Sequence, residues 1–142
     1  MTTEPFVQPS AIRLLSVYGR HECGRLLYEL LSERTADVNI SHRAMPSFED
    51  HAAFINSMPY EAWYFICDPE PVGSVYLSKQ NEIGVFIFQK YQKQGYARRA
   101  VMALMEKHGK RRYLANINPA NAGSRFLFTG LGFNLIQHTY AL

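Results

Sequence analysis

Gln92-Lys93-Gln94-Gly95-Tyr96-Ala97 is the stretch from which the rest of the chain is read. It follows an apolar run, Ile83 to Phe88, and precedes an amphipathic helical pattern that begins at Gly95. A strand, a glycine-bearing turn and a helix start make a natural phosphate cradle. The first N–H groups of a helix lack intrahelical partners, and the helix dipole adds partial positive charge at the same end. Gly95 admits close approach of a ligand to the backbone, and small Ala97 keeps the first turn open. Lys90, Lys93, Arg98 and Arg99 crowd this point. Cations are disfavoured at a helix N-terminus, so the excess points to an anion that completes the site. Taken alone, the stretch also fits a solvated basic turn.

A second motif weighs against that plain reading. Asn121 and Ser124 are followed by Leu131-Gly132-Phe133. With Gln92, Gly95 and Ala97 they match Gln/Arg-x-x-Gly-x-Gly/Ala and then Asn-x-x-Ala/Ser before Leu-Gly-Phe. Through this pair of motifs, roughly the last sixty residues resemble the GNAT superfamily of CoA-dependent N-acyltransferases. The N-terminal half matches only in its order of elements. The resemblance implies an α+β sandwich, with a mostly antiparallel mixed sheet of about six or seven strands flanked by about four helices. Acyl-CoA would lie in the splay between the fourth and fifth strands. Its pantetheine arm would pair with the backbone of Phe86, Ile87 and Phe88. Its pyrophosphate would sit on the N–H groups of Gln94, Gly95, Tyr96, Ala97 and Arg98, with Gln92 and Lys93 of the same loop also among the cofactor-binding residues. Asn121, with Ser124 in the same motif, would hold the pantetheine from the other side, and Arg125 would reach the nucleotide end. The plain alternative for Asn121 is a polar residue in a first helical turn.

The chemistry so implied is acyl transfer from a thioester to an amine. An alkylammonium has no lone pair, so a base or a water relay must take its proton. Glu82 begins the central strand on the same face as Gly84 and Phe86, where several such enzymes carry a glutamate. A charged residue ending a hairpin turn is the competing reading. A backbone N–H near Ile87 would serve the developing oxyanion. Many relatives place a tyrosine seven residues after the motif asparagine to protonate the leaving thiolate, but here that position is Phe128. Tyr96, Tyr113 and Tyr140 are substitutes that the sequence does not rank, each also readable as core or surface.

For the acceptor, Ser47 to Ile55 and Glu82-Ile83-Gly84 resemble enzymes that acetylate amino sugars on nucleotide carriers. A protein N-terminus or lysine, and a CoA-binding regulatory module without turnover, are the alternatives. Aromatics Tyr60, Trp63 and Tyr64 fit sugar stacking or a strand core. His51 beside the apolar stripe Phe48, Ala52 and Ile55 has no carboxylate partner in the sequence and reads first as structural. His42 and Arg43, in a polar connection, fit either an acceptor pocket or a surface loop.

Composition sets the outer bounds. The chain has 142 residues, 47% hydrophobic and 13% aromatic, which suits one folded domain, residues 1–142, after a loose arm over residues 1–10. No apolar run approaches the ~18 residues of a membrane span. The start does not resemble a secretory signal. Cys23 and Cys67 show no metal spacing and suit a reducing cytoplasm. A net charge of +3, gathered in Lys90 to Arg99 and Lys107 to Arg112, fits a local anion better than a nucleic-acid surface.

Along the chain, patterning predicts a strand over Ile12 to Val17 and an amphipathic helix over His21 to Arg34. A helix capped by Ser47 comes next, then a meander of Trp63 to Cys67, Val72 to Ser78 and Glu82 to Phe88. The near-continuous apolar run Ile83 to Phe88 predicts a strand covered on both faces. A helix from Gly95 to Gly109 and a parallel strand over Arg112 to Ile117 succeed it. Asn118 then caps a helix with Pro119 in its first turn, and Phe133 to Leu142 is a closing strand. Ten residues are few for that ending, so the sheet is either abbreviated or completed by a second copy in a homodimer.

Overall fold

A computed structural model describes residues 11–20, 23–34 and 44–142, the Cys23 side chain excepted. The N-terminal arm, His42 and Arg43 lie outside the described residues. Four strands form an antiparallel meander: β1 (Arg13–Ser16), β2 (Ala62–Cys67), β3 (Pro71–Leu77) and β4 (Ile83–Ile87). Between β1 and β2 run α1 (Cys23–Ser32) and α2 (Phe48–Asn56). After β4 come α3 (Tyr96–His108) and α4 (Ala122–Gly130).

Alternation along the strands sorts the apolar residues into two cores. Ala62, Tyr64 and Ile66 of β2 pack with Val75, Leu77 and Ile83 and with Ala100, Val101 and Leu104 of α3. Trp63, Phe65 and Cys67, pointing the other way, pack with Val17, Leu27 of α1 and Ile55 of α2. Because successive side chains face opposite sides of a strand, a β2 that is buried at every position requires helices on both faces. Phe128 of α4 joins the first core, so α3 and α4 cover one face and α1 and α2 the other.

Local chemistry sets the boundaries. Ser47 caps α2, its hydroxyl accepting from the Asp50 N–H at 3.1 Å. The Asp68-Pro69-Glu70-Pro71 turn is closed by the Asp68 N–H donating to the Glu70 carbonyl at 2.9 Å. Between β3 and β4, Ser78 Oγ accepts from the N–H groups of Gln80 and Glu82, and Asn81 takes the left-handed conformation at φ 65°. Gly109 ends α3 at φ 79°, its N–H on the Met105 carbonyl, after Lys107 and His108 in the last turn.

Three expectations need correction. The sheet has four strands among the described residues, not six or seven. Arg112 to Ile117 is not a full strand: it meets β4 in a single parallel bridge, Glu82 to Leu114. Phe133 to Leu142 forms no strand, and Leu135, Ile136 and Tyr140 are exposed. The two are linked, because a strand whose neighbour on one side diverges, with nothing on the other, has no ladder to hold it. Second, β4 is buried on both faces only at Ile83 and Gly84; Val85, Phe86 and Ile87 are half-buried where the next segment swings away. Third, Asn121 and not Asn118 caps α4. Asn118 Oδ1 accepts from the Ala120 N–H at 3.0 Å, closing a turn around Pro119 before the helix begins.

Leu104 is fully buried where α3 meets the sheet. Leu104→Ala is expected to cost about 2–5 kcal/mol in urea unfolding, through lost burial plus the cavity left behind.

Candidate functional site

The site begins where β4 loses its neighbour. Leu114 accepts from the Ile83 N–H at 2.8 Å and donates to the Asn81 carbonyl at 2.9 Å, and pairing stops there. Antiparallel geometry then decides which groups of β4 remain on offer. The Ser78 N–H donates to the Glu82 carbonyl at 2.8 Å and the Phe88 N–H to the Val72 carbonyl at 2.9 Å. Even-numbered residues of β4 therefore direct their backbone to β3, and Val85 and Ile87 direct theirs to the open side. This corrects the expected trio of Phe86, Ile87 and Phe88, since only Ile87 of the three faces the opening. Val85 was missed, although counting back by two from Ile87 finds it. The Ile87 carbonyl accepts from Gln92 Nε2 at 3.1 Å, tying the strand end to the loop.

Gln92 comes after a short 3-10 turn, Gln89–Tyr91. Lys93 and Gly95 both take positive φ, 64° and 79°, and Gly95 stands at the N-cap of α3. The Arg99 N–H donates to the Gly95 carbonyl at 3.2 Å, which leaves the N–H groups of Tyr96, Ala97 and Arg98 as the unpaired donors of a helix start. A Cβ on Gly95 would meet nothing within 4 Å, so φ demands the glycine and the space above it is open. The nearby cations are partly engaged. The Arg99 guanidinium lies 4.6 Å from the Tyr96 ring centre, and Arg98 Nη1 approaches Gly130 at the C-terminal end of α4, where a cation is favoured. Lys93 and Gln94 are exposed.

Across the opening, Asn121 accepts from the Ser124 N–H at 3.0 Å and donates from Nδ2 to Ser124 Oγ at 2.9 Å. Arg125 Nη1 donates to the Pro119 carbonyl at 3.1 Å. In this state the three residues build the start of α4. Phe128 is buried against Phe133, ring centres 5.1 Å apart, and carries no transferable proton. Tyr96 donates its hydroxyl to Asp68 at 2.7 Å, and that bond raises the phenol above its ordinary value. Tyr113 donates to the Gly109 carbonyl at 2.5 Å, and Tyr140 is exposed. Tyr96 and Tyr113 thus pin the two ends of α3.

Glu82 sits at the point of parting, half-buried, its carboxylate accepting from Asn116 Nδ2. Asn116 could not be singled out from the sequence, because only the bridge at Leu114 brings it there. Further along the same face of β4, Phe86 borders a cavity of about 190 Å³ between the sheet and the helices α1 and α2. Arg34 lies with its guanidinium 3.8 Å from the Phe86 ring centre, and Tyr60 and Tyr76 stack at 3.8 Å. Burial lowers Arg34 below its ordinary pKa and raises both tyrosines. His51 is buried in the cavity wall among Tyr28 and Phe54. Arg34 and Tyr76 escaped sequence reading, since one closes a helical pattern and the other sits in a strand.

The GNAT acetyltransferase family model matches residues 25–133. The chain belongs to the GNAT acetyltransferase family. No curated protein matches it. Among solved structures, a domain from Methanocaldococcus jannaschii is similar at TM-score 0.76 and 20% identity, over 90% of this chain and 91% of that one. A phosphinothricin acetyltransferase from Sinorhizobium meliloti, in complex with AcCoA, is similar at TM-score 0.74 and 19% identity, over 89% of this chain and 77% of that one. Mutant forms of the spermidine/spermine N-acetyltransferase SpeG from Vibrio cholerae give TM-score 0.71 and 16% identity, over 92% and 83%. At these identities the likeness is one of fold. Among the described residues of this GNAT acetyltransferase, no helix is long and apolar enough to cross a membrane.

Gly84 is the clearest local constraint on the cavity: a Cβ there would lie 2.2 Å from the Tyr76 ring. Gly84→Ala is expected to lower stability by about 1–3 kcal/mol through overpacking, measured by urea unfolding, and Tyr76→Ala in the same chain should relieve part of that loss.

Proposed function

We propose that this GNAT acetyltransferase transfers the acetyl group of acetyl-CoA to a primary amine of a small molecule by direct attack on the thioester. The observation that carries the reading is the parting of β4 from the segment at Leu114. It opens a gap with helix-start donors at Tyr96 to Arg98 near one end, and β4 faces a cavity of about 190 Å³ beside it. So small a cavity suits a small acceptor, whereas a peptide would need a longer groove.

Each residue of the opening then has a role. The backbone of Val85 pairs with the pantetheine as an added strand would, and the Ile87 N–H is kept for the thioester oxygen. The loop from Gln92 to Arg98 holds the pyrophosphate on its N–H groups, and Gly95 leaves room for it. Asn121, Ser124 and Arg125 line the far side of the gap. Glu82, oriented by Asn116, takes the ammonium proton directly or through one water. The freed amine attacks the thioester carbon, the carbonyl oxygen gains negative charge beside the Ile87 N–H, and the C–S bond breaks. The thiolate leaves and is protonated through water, which also carries off the second proton that the nitrogen sheds as the amide forms, Phe128 having no proton to give.

For the acceptor, the amino-sugar reading draws on the stretches Ser47 to Ile55 and Glu82 to Gly84. At about 190 Å³ the cavity is smaller than most ligand pockets, which run roughly 300–1,000 Å³, so it admits a small amine more readily than a whole nucleotide sugar. The reading places the enzyme in a reducing compartment, in keeping with the free, buried Cys67.

Thiol release from acetyl-CoA against nucleotide amino sugars, amino acids, polyamines and peptides tests the proposal. Glu82→Gln is expected to lower kcat about 10²–10⁴-fold while acetyl-CoA affinity by calorimetry holds. Gly95→Asp is expected to weaken acetyl-CoA binding about tenfold or more, since an anion then meets an anion. Acetyl-CoA binding with no thiol release from any amine would overturn the catalytic reading in favour of a regulatory module.

A further inference from the structure

The cavity holds a charge that the transfer reaction does not call for. Arg34 lies just past the end of α1 and turns its guanidinium onto the face of Phe86, one residue before Ile87. Its Nε is buried and has no hydrogen-bond partner among the described residues, and the same holds for Trp63 Nε1. Both residues line the cavity. A buried donor left without an acceptor costs about 1–3 kcal/mol, more when charged, so an acceptor that meets the Arg34 guanidinium from the cavity would offset part of that cost.

The surroundings narrow the chemistry. The Phe86 ring covers one side of the guanidinium, and its terminal N–H groups remain for an acceptor that enters the cavity. A guanidinium suits a carboxylate, which can take two parallel N–H bonds. Aromatic walls such as Tyr60, Tyr76, Phe54 and Phe86 would by themselves suit a cation, but the face of Phe86 is already taken by Arg34. A polyamine would bring a second positive charge against it. Negative charge stands elsewhere, on Asp50 in the cavity lining and on Glu82, whose field acts on Tyr76. A cation is thus fixed at Phe86, and Glu82 stands four residues back on the same face of the strand.

Resting on the acetyltransferase reading, we propose that the acceptor is a small amine that also bears a carboxylate, such as an amino acid, with the carboxylate paired to Arg34 in the cavity beside Phe86. The ammonium then lies toward Glu82, and only one end of the acceptor suits each end of the site. Selection against polyamines and neutral amines comes from leaving the half-buried Arg34 guanidinium without an acceptor in their presence.

The test compares amino acids with their carboxamides and decarboxylated amines, beside spermidine and a nucleotide amino sugar, in the intact enzyme with acetyl-CoA. The expected result is that a carboxylate-bearing amine is the best acceptor and that its carboxamide loses about 10- to 100-fold in kcat/KM. Arg34→Gln should raise KM for the acid by a similar factor with little change in kcat, and bring acid and amide level. Arg34→Lys should fall between, keeping charge without the fork. Circular dichroism and acetyl-CoA affinity confirm that each variant is folded. Equal turnover of acid and amide, an unchanged preference in folded Arg34→Gln, or a best acceptor among the polyamines, neutral amines or nucleotide sugars would overturn this inference and leave the acetyltransferase reading standing. Acetyl-CoA binding with no turnover of any amine would overturn both.

Discussion

Two hydrogen bonds made by Leu114, one to Asn81 and one to Ile83, fix where the sheet stops being a sheet. Before that point the chain is an ordinary antiparallel meander with helices on both sides. After it, β4 continues with one side unpaired, and from this come the features that suit it to a ligand. The backbone of Val85 and Ile87 is left facing the gap, Glu82 stands at its vertex, and Asn116 is carried across to meet Glu82. Had the pairing run on, those groups would have been taken up by a fifth strand.

The two walls of the opening are positioned by different means. On the side of the glycine loop, the hydroxyl of Tyr96 on Asp68 anchors the first turn of α3 to the β2–β3 turn, while positive φ at Lys93 and Gly95 aims the loop. On the side of the cavity, consecutive residues after α1 grip β4 and the 3-10 turn beyond it. Glu33 Oε1 accepts from the Gln89 N–H at 2.6 Å, and Arg34 lies on the Phe86 ring. A displacement of α1 is therefore felt on both sides of the strand end.

Much of this was legible in the sequence, for identifiable reasons. Helices with regular apolar spacing, strands bounded by Ser, Asn and Pro turns, and the cap at Ser47 depend on near neighbours, and they appear where local chemistry puts them. The glycine loop was legible because φ and spacing are local too. The features that escaped depend on partners distant in the chain. A ladder over Arg112 to Ile117 requires a neighbour on each side, and no local pattern reports that it diverges from one and lacks the other. Asn118 and Asn121 are both good caps, and only the turn around Pro119 decides between them. Arg34 closes an amphipathic pattern and reads as a surface charge until the fold sets it on Phe86, some fifty residues further on. Phe86 and Phe88 were assigned to the opening by resemblance, when period two along β4 gives that side to Val85 and Ile87.

The unfinished pairing also bears on how the protein avoids its own kind. A bare β edge is a template on which another chain can add a strand. Here the bare length is very short. Leu114 closes one end, and at the other the amide of Gln92 occupies the Ile87 carbonyl, with Lys90 and Lys93 just beyond. The opposite border, β1, spans four residues, and its terminal Arg13 and Ser16 are exposed and polar. Among the described residues both margins are short, so neither offers a long template for an intermolecular ladder while the gap stays open to a small ligand.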